Sequence, residues 1–289
     1  MTSDYDVRYS PRMSAPSIRR RQLGAVLRQL RNDAGETREQ VALLLGCSPT
    51  KVTYLESGRN VIGKTELIVL LQHFGATERL AALEELRQEA GQRGWWSTFG
   101  LPEWLAGYVG LEDVATSLRC LELENIPGLL QTEQYIRTLY ALDSRFSANE
   151  VDRRVRARLK RQERLTAPNP LQLTAVVSEA ALVRSAREDV VAADQLARLI
   201  ECAEMPNVDL RVLPFDLGLH VGMAGPFSLL SFPEGALPDA AYQEYAVGGH
   251  VIDDQSVVSA LVTLFNELRS QALGPNESLA LIAQLAEHR

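Results

Sequence analysis

The stretch from Thr37 to Arg59 constrains the fold more than any other part of the chain, because it predicts two short helices joined by a tight turn. Thr37 has a side chain suited to capping a helix, and Gly46 tolerates the left-handed conformation in which helices often end. Ser48 followed by Pro49 then reads as a second N-cap and a first helical position that suits proline. The two helices are therefore close in sequence and short.

The second of these helices has an inner and an outer face. The spacing of Val52 and Leu55 directs both toward a core. Polar or flat side chains at the start of a helix are the kind that read base edges in the major groove of DNA. The outward positions that we predict to read bases are Pro49, Thr50, Lys51, Thr53 and Tyr54.

From Gly35 to Gly58 the chain follows the pattern G-x-T-x-x-x-[VL]-A-x-x-x-G-x-S-x-x-x-V-[ST]-x-L-E-x-G. At these residues it resembles the Xre family, the helix-turn-helix domains of lambda-type repressors and Cro. The resemblance implies a five-helix DNA-binding domain over residues 17–92 and a structural ion pair between Arg31 and Glu56. Many members carry Gln at the start of the second helix where this chain has Arg38, a residue that also suits a phosphate.

Contacts to the phosphate backbone are expected from both helix ends and the following loop, which in the Xre family runs along the DNA. The predicted phosphate-binding residues are Arg19, Arg28, Arg38, Ser48, Arg59, Asn60 and Lys64. Two alternatives stay open: the arginines of the first helix form a solvated face, or the helical unit binds a protein instead of DNA.

Charge is distributed unevenly along the chain. The formal total of −7 argues against binding nucleic acid, but residues 8–64 carry eleven Lys and Arg against four Asp and Glu. This part is therefore +7 and the remainder −14. A basic head on an acidic body is typical of a DNA-binding domain joined to a domain with another task.

The domain organisation follows from length and composition. The 289 residues suffice for two cores, and 46% apolar with 23% charged residues is ordinary for a soluble protein. We expect a flexible arm over residues 1–16, where Arg8 and Arg12 are further phosphate candidates, and a second domain over residues 93–289. No apolar run is long enough for a membrane span. The N-terminal residues lack the basic-then-apolar order of a secretory signal, so the expected location is the cytoplasm. Three isolated cysteines indicate packed thiols, and we expect no metal or cofactor.

The second domain is predicted to be α+β with a mainly antiparallel sheet. Its predicted strands are residues 171–177, 208–213, 227–232 and 241–247. Its predicted helices are residues 111–124, 131–142, 151–165, 188–203, 253–273 and 276–288. The helix over 151–165 carries seven cations, which surround it instead of forming a stripe, so internal salt bridges are favoured over a second nucleic-acid surface.

Several phrases of this half resemble the C-terminal domain of unknown function that follows an Xre head in actinobacterial regulators of the WhiJ type. They are RGWW at 93–96, IPGLLQTEQY at 126–135, RQERL at 161–165 and SEAAL at 178–182. The resemblance implies a developmental or toxin–antitoxin-like regulator whose partner is a small BldB-like protein. It implies no catalytic residue.

Sequence reasoning therefore gives a DNA-binding transcription regulator, expected as a homodimer on a palindromic operator, because one short recognition helix covers only a half-site. Its second domain is expected to bind a small protein or a ligand in a groove formed by Pro127, Leu129, Leu130, His220 and Phe227. An antitoxin-like adaptor is the alternative. An enzyme is the less favoured one, for which the groups to test are Glu179, Glu244, His220 and Arg161.

Overall fold

A computed structural model describes residues 18–91, 94–233 and 237–287. The chain divides into two compact units, Met1–Gln92 and Arg93–Arg289. The predicted arm over residues 1–16, with Arg8 and Arg12, lies outside the described residues. No helix within the described ranges is long and apolar enough to cross a membrane.

The first unit is helical, as predicted. Within residues 18–91 its five α-helices are α1 (Ile18–Asp33), α2 (Arg38–Leu45), α3 (Pro49–Glu56), α4 (Lys64–His73) and α5 (Leu80–Gly91). Apolar side chains of all five helices meet in one core, to which α1 contributes Leu23, Leu27 and Leu30. Gly24 of α1 lies against the end of α3, where an added Cβ would come within 2.6 Å of the carbonyl oxygens of Leu55 and Glu56. The absence of a side chain at this glycine therefore allows the two helices to approach closely.

The second unit contains seven α-helices and six strands among the residues described. The helices are α6 (Glu103–Val114), α7 (Glu133–Ala141), α8 (Ala148–Gln162), α9 (Glu179–Ala186), α10 (Ala192–Ala203), α11 (Gln255–Gln271) and α12 (Pro275–Glu287). The strands are β1 (Ser117–Glu122), β2 (Gln172–Ser178), β3 (Val208–Leu213), β4 (Phe227–Ser231), β5 (Ala240–Tyr245) and β6 (Gly248–Ile252).

The strands form one sheet in the order β3-β2-β1-β4-β5-β6. β2 is parallel to β1 and to β3, and the other three pairings are antiparallel. The parallel pairs follow from the connections, since helices α7 and α8 join β1 to β2, and α9 and α10 join β2 to β3. The mixed, mostly antiparallel sheet confirms the predicted α+β class.

Several stretches of the second unit differ from the sequence prediction. Residues 111–124 were expected to form one helix, but α6 ends at Val114 and β1 begins at Ser117. The reason is that Leu111, Val114, Leu118 and Leu121 recur at the spacing of one helix face, and this signal outweighed the short alternation from Ser117 to Cys120. The predicted helix over 188–203 begins only at Ala192, and the sequence prediction contained neither α9 nor β6.

The two faces of the sheet have different neighbours. One face carries Leu121 and Leu229, which pack with Phe265 and Leu268 of α11 in a buried cluster. Side chains alternate along a strand, so Leu118, Cys120 and Glu122 of β1 lie on the opposite face. That opposite face contains the cavity described below.

Candidate DNA interface and candidate ligand cavity

Helix caps hold the turn between α2 and α3. The Thr37 hydroxyl accepts a hydrogen bond from the backbone N–H of Gln40 at 3.3 Å. In return, the side-chain oxygen of Gln40 accepts one from the backbone N–H of Thr37 at 2.7 Å. Gly46 ends α2 with φ of 60°. The Ser48 hydroxyl caps α3 by accepting from the Lys51 amide at 3.2 Å, with Pro49 in the first turn. Each of these caps is formed by residues that are close together in the sequence.

Helix α3 has the two faces that its sequence predicts. Val52 and Leu55 are 2% and 3% exposed and belong to the core. Three of the five predicted base-reading residues are exposed, and the other two, Lys51 and Tyr54, are half-buried. The exposed ones are Pro49, Thr50 and Thr53.

The two half-buried side chains already have protein partners. Lys51 Nζ lies 2.5 Å from Glu66 Oε1, and the other oxygen of Glu66 caps α4 by accepting from the Gly63 amide at 3.0 Å. The hydrogen bond that Lys51 donates to Glu66 raises the pKa of Lys51 above its ordinary value. The guanidinium of Arg59 lies 5.4 Å from the centre of the Tyr54 ring. Lys51 must therefore leave Glu66 before it reaches a base.

A cluster of three charges, with Arg31 and Glu56 buried and Arg38 half-exposed, joins α1, α2 and α3. Arg31 Nε lies 2.5 Å from Glu56 Oε1, and Arg38 Nε lies 2.9 Å from Glu56 Oε2. Burial opposes the charged form of Glu56, but hydrogen bonds from both arginines outweigh it and hold the pKa of Glu56 below its usual value. The Arg31–Glu56 pair that the Xre resemblance implied is thus present, and Arg38 joins it as a third charged residue.

The predicted phosphate-binding residues fall into two groups. Arg59 and Asn60 are exposed after α3, Ser48 is exposed at its start, and Lys64 is exposed with Nζ 3.8 Å from Glu84. Arg19 is paired with Glu89 of α5 at 3.1 Å. Arg28 donates to the carbonyl of Glu56 at the last residue of α3, about 10 Å along the helix from Pro49. We therefore expect the residues around the ends of α3 to contribute more to phosphate binding than those of α1.

A cavity of about 660 Å³ lies in the second unit on the sheet face that carries Leu118, Cys120 and Glu122. Its wall is formed by side chains of α6, β1, α7, α8, β4 and β5 and of the loop after β1. Of the predicted groove residues, Pro127 and Leu129 line this cavity, and Phe227 borders it while its ring packs against Phe265 on the other face of the sheet.

The other two predicted groove residues do not line it. Leu130 is 0% exposed because its short 3-10 turn packs into the core. His220 precedes a turn on the opposite face of the sheet, where Gly222 packs against Leu121 and Leu268, and His220 Nδ1 has no hydrogen-bond partner among the residues described. The groove prediction was therefore wrong for these two residues.

Two known family models match the chain, one in each unit. A model described as a helix-turn-helix domain matches residues 22–83, which contain α2 and α3. A second model, described as a domain of unknown function (DUF5753), matches residues 105–284, more than half of the chain. The chain belongs to the DUF5753 family. No curated protein and no solved structure matches it.

The first match makes the helical unit the DNA-binding domain of a regulator, and the second match covers the unit that contains the cavity. The charged side chains that line the DUF5753 cavity are Glu122, Asp143, Arg145, Arg154, Arg158, Arg161 and Glu244. The sequence hypothesis grouped only Arg161 and Glu244 of these as site residues. Arg154, Arg158 and Arg161 recur at helical spacing on α8, a signal that the other cations of the predicted helix masked. Glu122 and Glu244 come from distant strands, so no signal in one sequence brings them together.

A buried ion pair forms part of the cavity wall in the DUF5753 domain. Arg161 of α8 donates to Glu112 of α6 through Nε at 2.6 Å and Nη2 at 2.7 Å. Burial opposes the charge of Arg161, but the attraction of Glu112 outweighs it and raises the pKa of Arg161 above its usual value. The ring of Tyr108 lies beneath Arg161 and stacks on Tyr242 with centroids 4.2 Å apart.

The four residues considered for catalysis do not come together. Arg161 and Glu244 line the cavity, whereas Glu179 accepts a bond from the Phe215 amide at 2.7 Å. His220 lies on the other face of the sheet. The arrangement therefore does not assemble the acid, base and cation that the sequence hypothesis grouped.

Proposed function

We propose that this DUF5753 protein is a sequence-specific transcription regulator that binds a palindromic operator as a homodimer. The observation that carries the proposal is the exposed outer face of α3, with Thr50 and Thr53 presented beside a capped N-terminus. Their hydroxyl groups exchange hydrogen bonds with base edges and their methyl groups contact thymine, while Tyr54 and Lys51 complete the reading face.

Phosphate contacts fix the orientation of this helix on the duplex. Arg59, Asn60 and Lys64 supply them after α3, and Ser48 and Arg38 supply them at the starts of α3 and α2. The cluster of Arg31, Arg38 and Glu56 holds the three helices rigid, so the reading residues need little ordering when they meet DNA.

A dimer is supported by the size of the reading face, since a helix of eight residues covers only a half-site. The DUF5753 domain then controls DNA binding through a ligand or a small protein. The resemblance of its sequence phrases to WhiJ-type regulators supports a BldB-like partner, and a regulator of this kind acts in the cytoplasm.

The test is DNA binding by matched variants on sites selected from random duplexes. We expect Thr50→Ala/Thr53→Ala to lose about tenfold or more in preference for the selected site over random DNA. The matched control is Thr77→Ala, which removes an exposed threonine between α4 and α5. Arg59→Ala should weaken binding to all duplexes and lower the salt slope by about one. Unchanged selectivity in the double variant refutes the proposal.

An adaptor that mainly holds another protein is the second candidate, and an exposed apolar patch favours it. Phe215, Leu219 and Met223 lie within one short stretch before β4 and are 57%, 89% and 59% exposed. Large exposed apolar patches commonly mark protein-binding surfaces. Copurification of a stoichiometric partner that Leu219→Ser/Met223→Ser abolishes, in a protein without operator preference, would replace the regulator by the adaptor.

A further inference from the structure

The DUF5753 cavity contains carboxyl and guanidinium groups that the protein leaves without an ionic partner. Its volume of about 660 Å³ lies within the range of small-molecule sites, roughly 300–1,000 Å³. Among the charged residues that line it, Arg161 is neutralised by Glu112 behind the wall, and Asp143 and Arg145 pair with each other. The charged residues that remain without an ionic partner indicate which chemical groups a bound molecule carries.

The negative side of the cavity lies on the sheet. Glu122 ends β1, and Glu244 lies on the same face of β5, with Pro226 at the intervening position. Glu244 accepts only the Tyr242 hydroxyl, at 3.3 Å, and Glu122 receives no hydrogen bond or ion pair from any residue that the structure describes. Two carboxylates with so few protein donors form a site for a cation.

The positive side of the cavity lies on α8. Arg158 donates to the uncharged Gln131 side chain at 2.8 Å and to the Tyr140 hydroxyl at 3.0 Å. Arg154 lies 4.1 Å from the centre of the Phe146 ring. Neither guanidinium is within ion-pair distance of a carboxylate in the described part of the domain. Both therefore retain charge for an anion.

Aromatic side chains cover much of the remaining wall. They are Trp104, Tyr108, Tyr140, Phe146, Tyr242 and Tyr245. Aromatic faces bind apolar groups and also attract ammonium ions. The body of the bound molecule is therefore apolar, with its charged groups at opposite sides.

We propose that this cavity binds a small zwitterion of about dipeptide size, with its ammonium group at Glu122 and Glu244 and its carboxylate at Arg154 and Arg158. The proposal deepens the proposed function, because it names the ligand through which the DUF5753 domain acts. Binding of the zwitterion does not rest on the proposed function; only its effect on DNA binding does.

Proton release accompanies binding. Burial, together with the nearby Glu244, raises the pKa of Glu122 to about 8, although Arg158 and Arg161 of α8 act in the opposite direction. Near neutral pH Glu122 is mostly protonated, and an ammonium group that binds its carboxylate displaces the proton. Affinity should rise from pH 6 toward pH 8 and then fall, since the ligand amine deprotonates with a pKa of about 7.7–8.0.

The first experiment uses chemically matched probes with the full chain. Calorimetry and thermal unfolding are measured with the dipeptides Leu-Phe, Phe-Leu, Ala-Phe and Gly-Trp, each as the free zwitterion, the N-acetyl acid and the C-terminal amide. We expect at least one free zwitterion to bind, with about tenfold or more weaker binding of its acetylated and amidated forms. Absence of binding by every zwitterion, or equal binding of the blocked forms, overturns the proposal.

The second experiment assigns each charged end. Glu122→Gln should weaken the free dipeptide about tenfold or more, leave the N-acetyl acid unchanged and abolish the rise in affinity with pH. Arg154→Met should weaken the free dipeptide similarly and leave the amide unchanged. The matched control is Glu124→Gln, which alters an exposed carboxylate paired with Arg184 two residues after Glu122. Equal losses for all probes in either cavity variant would contradict the assigned orientation.

The outcome for the cavity is separable from the outcome for DNA binding. Zwitterion binding without an effect on operator affinity supports the cavity and contradicts ligand control of the DNA-binding domain. Operator binding in a protein that binds none of the zwitterions refutes the cavity and leaves the regulator in place.

Discussion

Each unit contains a buried pair of arginine and glutamate, and the two pairs differ in what surrounds them. In the helix-turn-helix domain, Glu56 receives both Arg31 and Arg38 and its two oxygens are fully used. In the DUF5753 domain, Arg161 and Glu112 bind each other in two parallel bonds beside a cavity that contains the unpaired Glu122.

The difference separates charge that builds a structure from charge that awaits a ligand. The first cluster is closed, because it satisfies every carboxylate oxygen with a nearby guanidinium, and it serves to position α3. The Arg161–Glu112 pair also satisfies both carboxylate oxygens, but the carboxyl and guanidinium groups next to it in the cavity have no ionic partner. A domain that keeps charges unpaired in a cavity loses stability, and a ligand that binds those charges restores it.

The largest expected effect comes from breaking the Arg161–Glu112 pair. Glu112→Gln leaves the buried Arg161 without its anion and should lower the free energy of unfolding by about 3–5 kcal/mol. All three tryptophans lie in the second unit, so their fluorescence during urea unfolding reports this domain. The control Glu124→Gln breaks an exposed pair and should cost less than about 1 kcal/mol. A loss below 1 kcal/mol for Glu112→Gln would show that the pair is not structural.

Breaking the helix-turn-helix cluster should cost somewhat less, about 2–4 kcal/mol for Glu56→Gln, because Arg38 has a side chain 42% exposed and regains water. The loss should appear in helical circular dichroism and not in tryptophan fluorescence. The folded state lowers the pKa of Glu56 from 4.5, so its contribution is present above pH 4.5 and disappears as the pH falls below the folded pKa. In the variant this part of the acid dependence should be absent, and an unchanged acid profile would contradict the assignment.

The contrast also explains what the sequence alone could predict. The α2–α3 turn was predictable because Thr37, Gly46 and Ser48 act on residues within four positions of themselves. The strand β1 was not, because Leu118 and Leu121 continue the helical spacing of the apolar residues at the end of α6. The cavity was still less accessible, since Glu122 and Glu244 meet only through the pairing of β1, β4 and β5. Local chemistry is readable in one sequence, whereas long-range register is not.

Removing the unpaired carboxylate should have the opposite sign. The folded state raises the pKa of Glu122 from 4.5 to about 8, so the folded chain keeps a proton that the unfolded chain loses. The contribution of Glu122 to the free energy of unfolding therefore declines from pH 4.5 to about pH 8 and is least favourable above pH 8. Glu122→Gln should be nearly neutral at pH 4.5 and about 1–3 kcal/mol more stable than the parent at pH 8.5. Urea unfolding at several pH values measures this difference, and a constant or falling difference contradicts the unpaired state.

The smallest effect tests a charge that has a partner and also faces the proposed DNA site. The Lys51–Glu66 pair is partly exposed, with side chains 40% and 27% accessible, so its coupling energy should be only about 0.3–1 kcal/mol in a double-mutant cycle. Glu66→Gln keeps an oxygen to cap Gly63 but releases Lys51 and removes a negative charge. Operator affinity should then rise at low salt, and the slope of log affinity against log salt should steepen by about one if Lys51 reaches a phosphate. Lys51→Gln in the Glu66→Gln background should return the slope to its parental value. A steeper slope that persists without Lys51 would place the new phosphate contact elsewhere, and an unchanged slope with improved selectivity would assign Lys51 to a base.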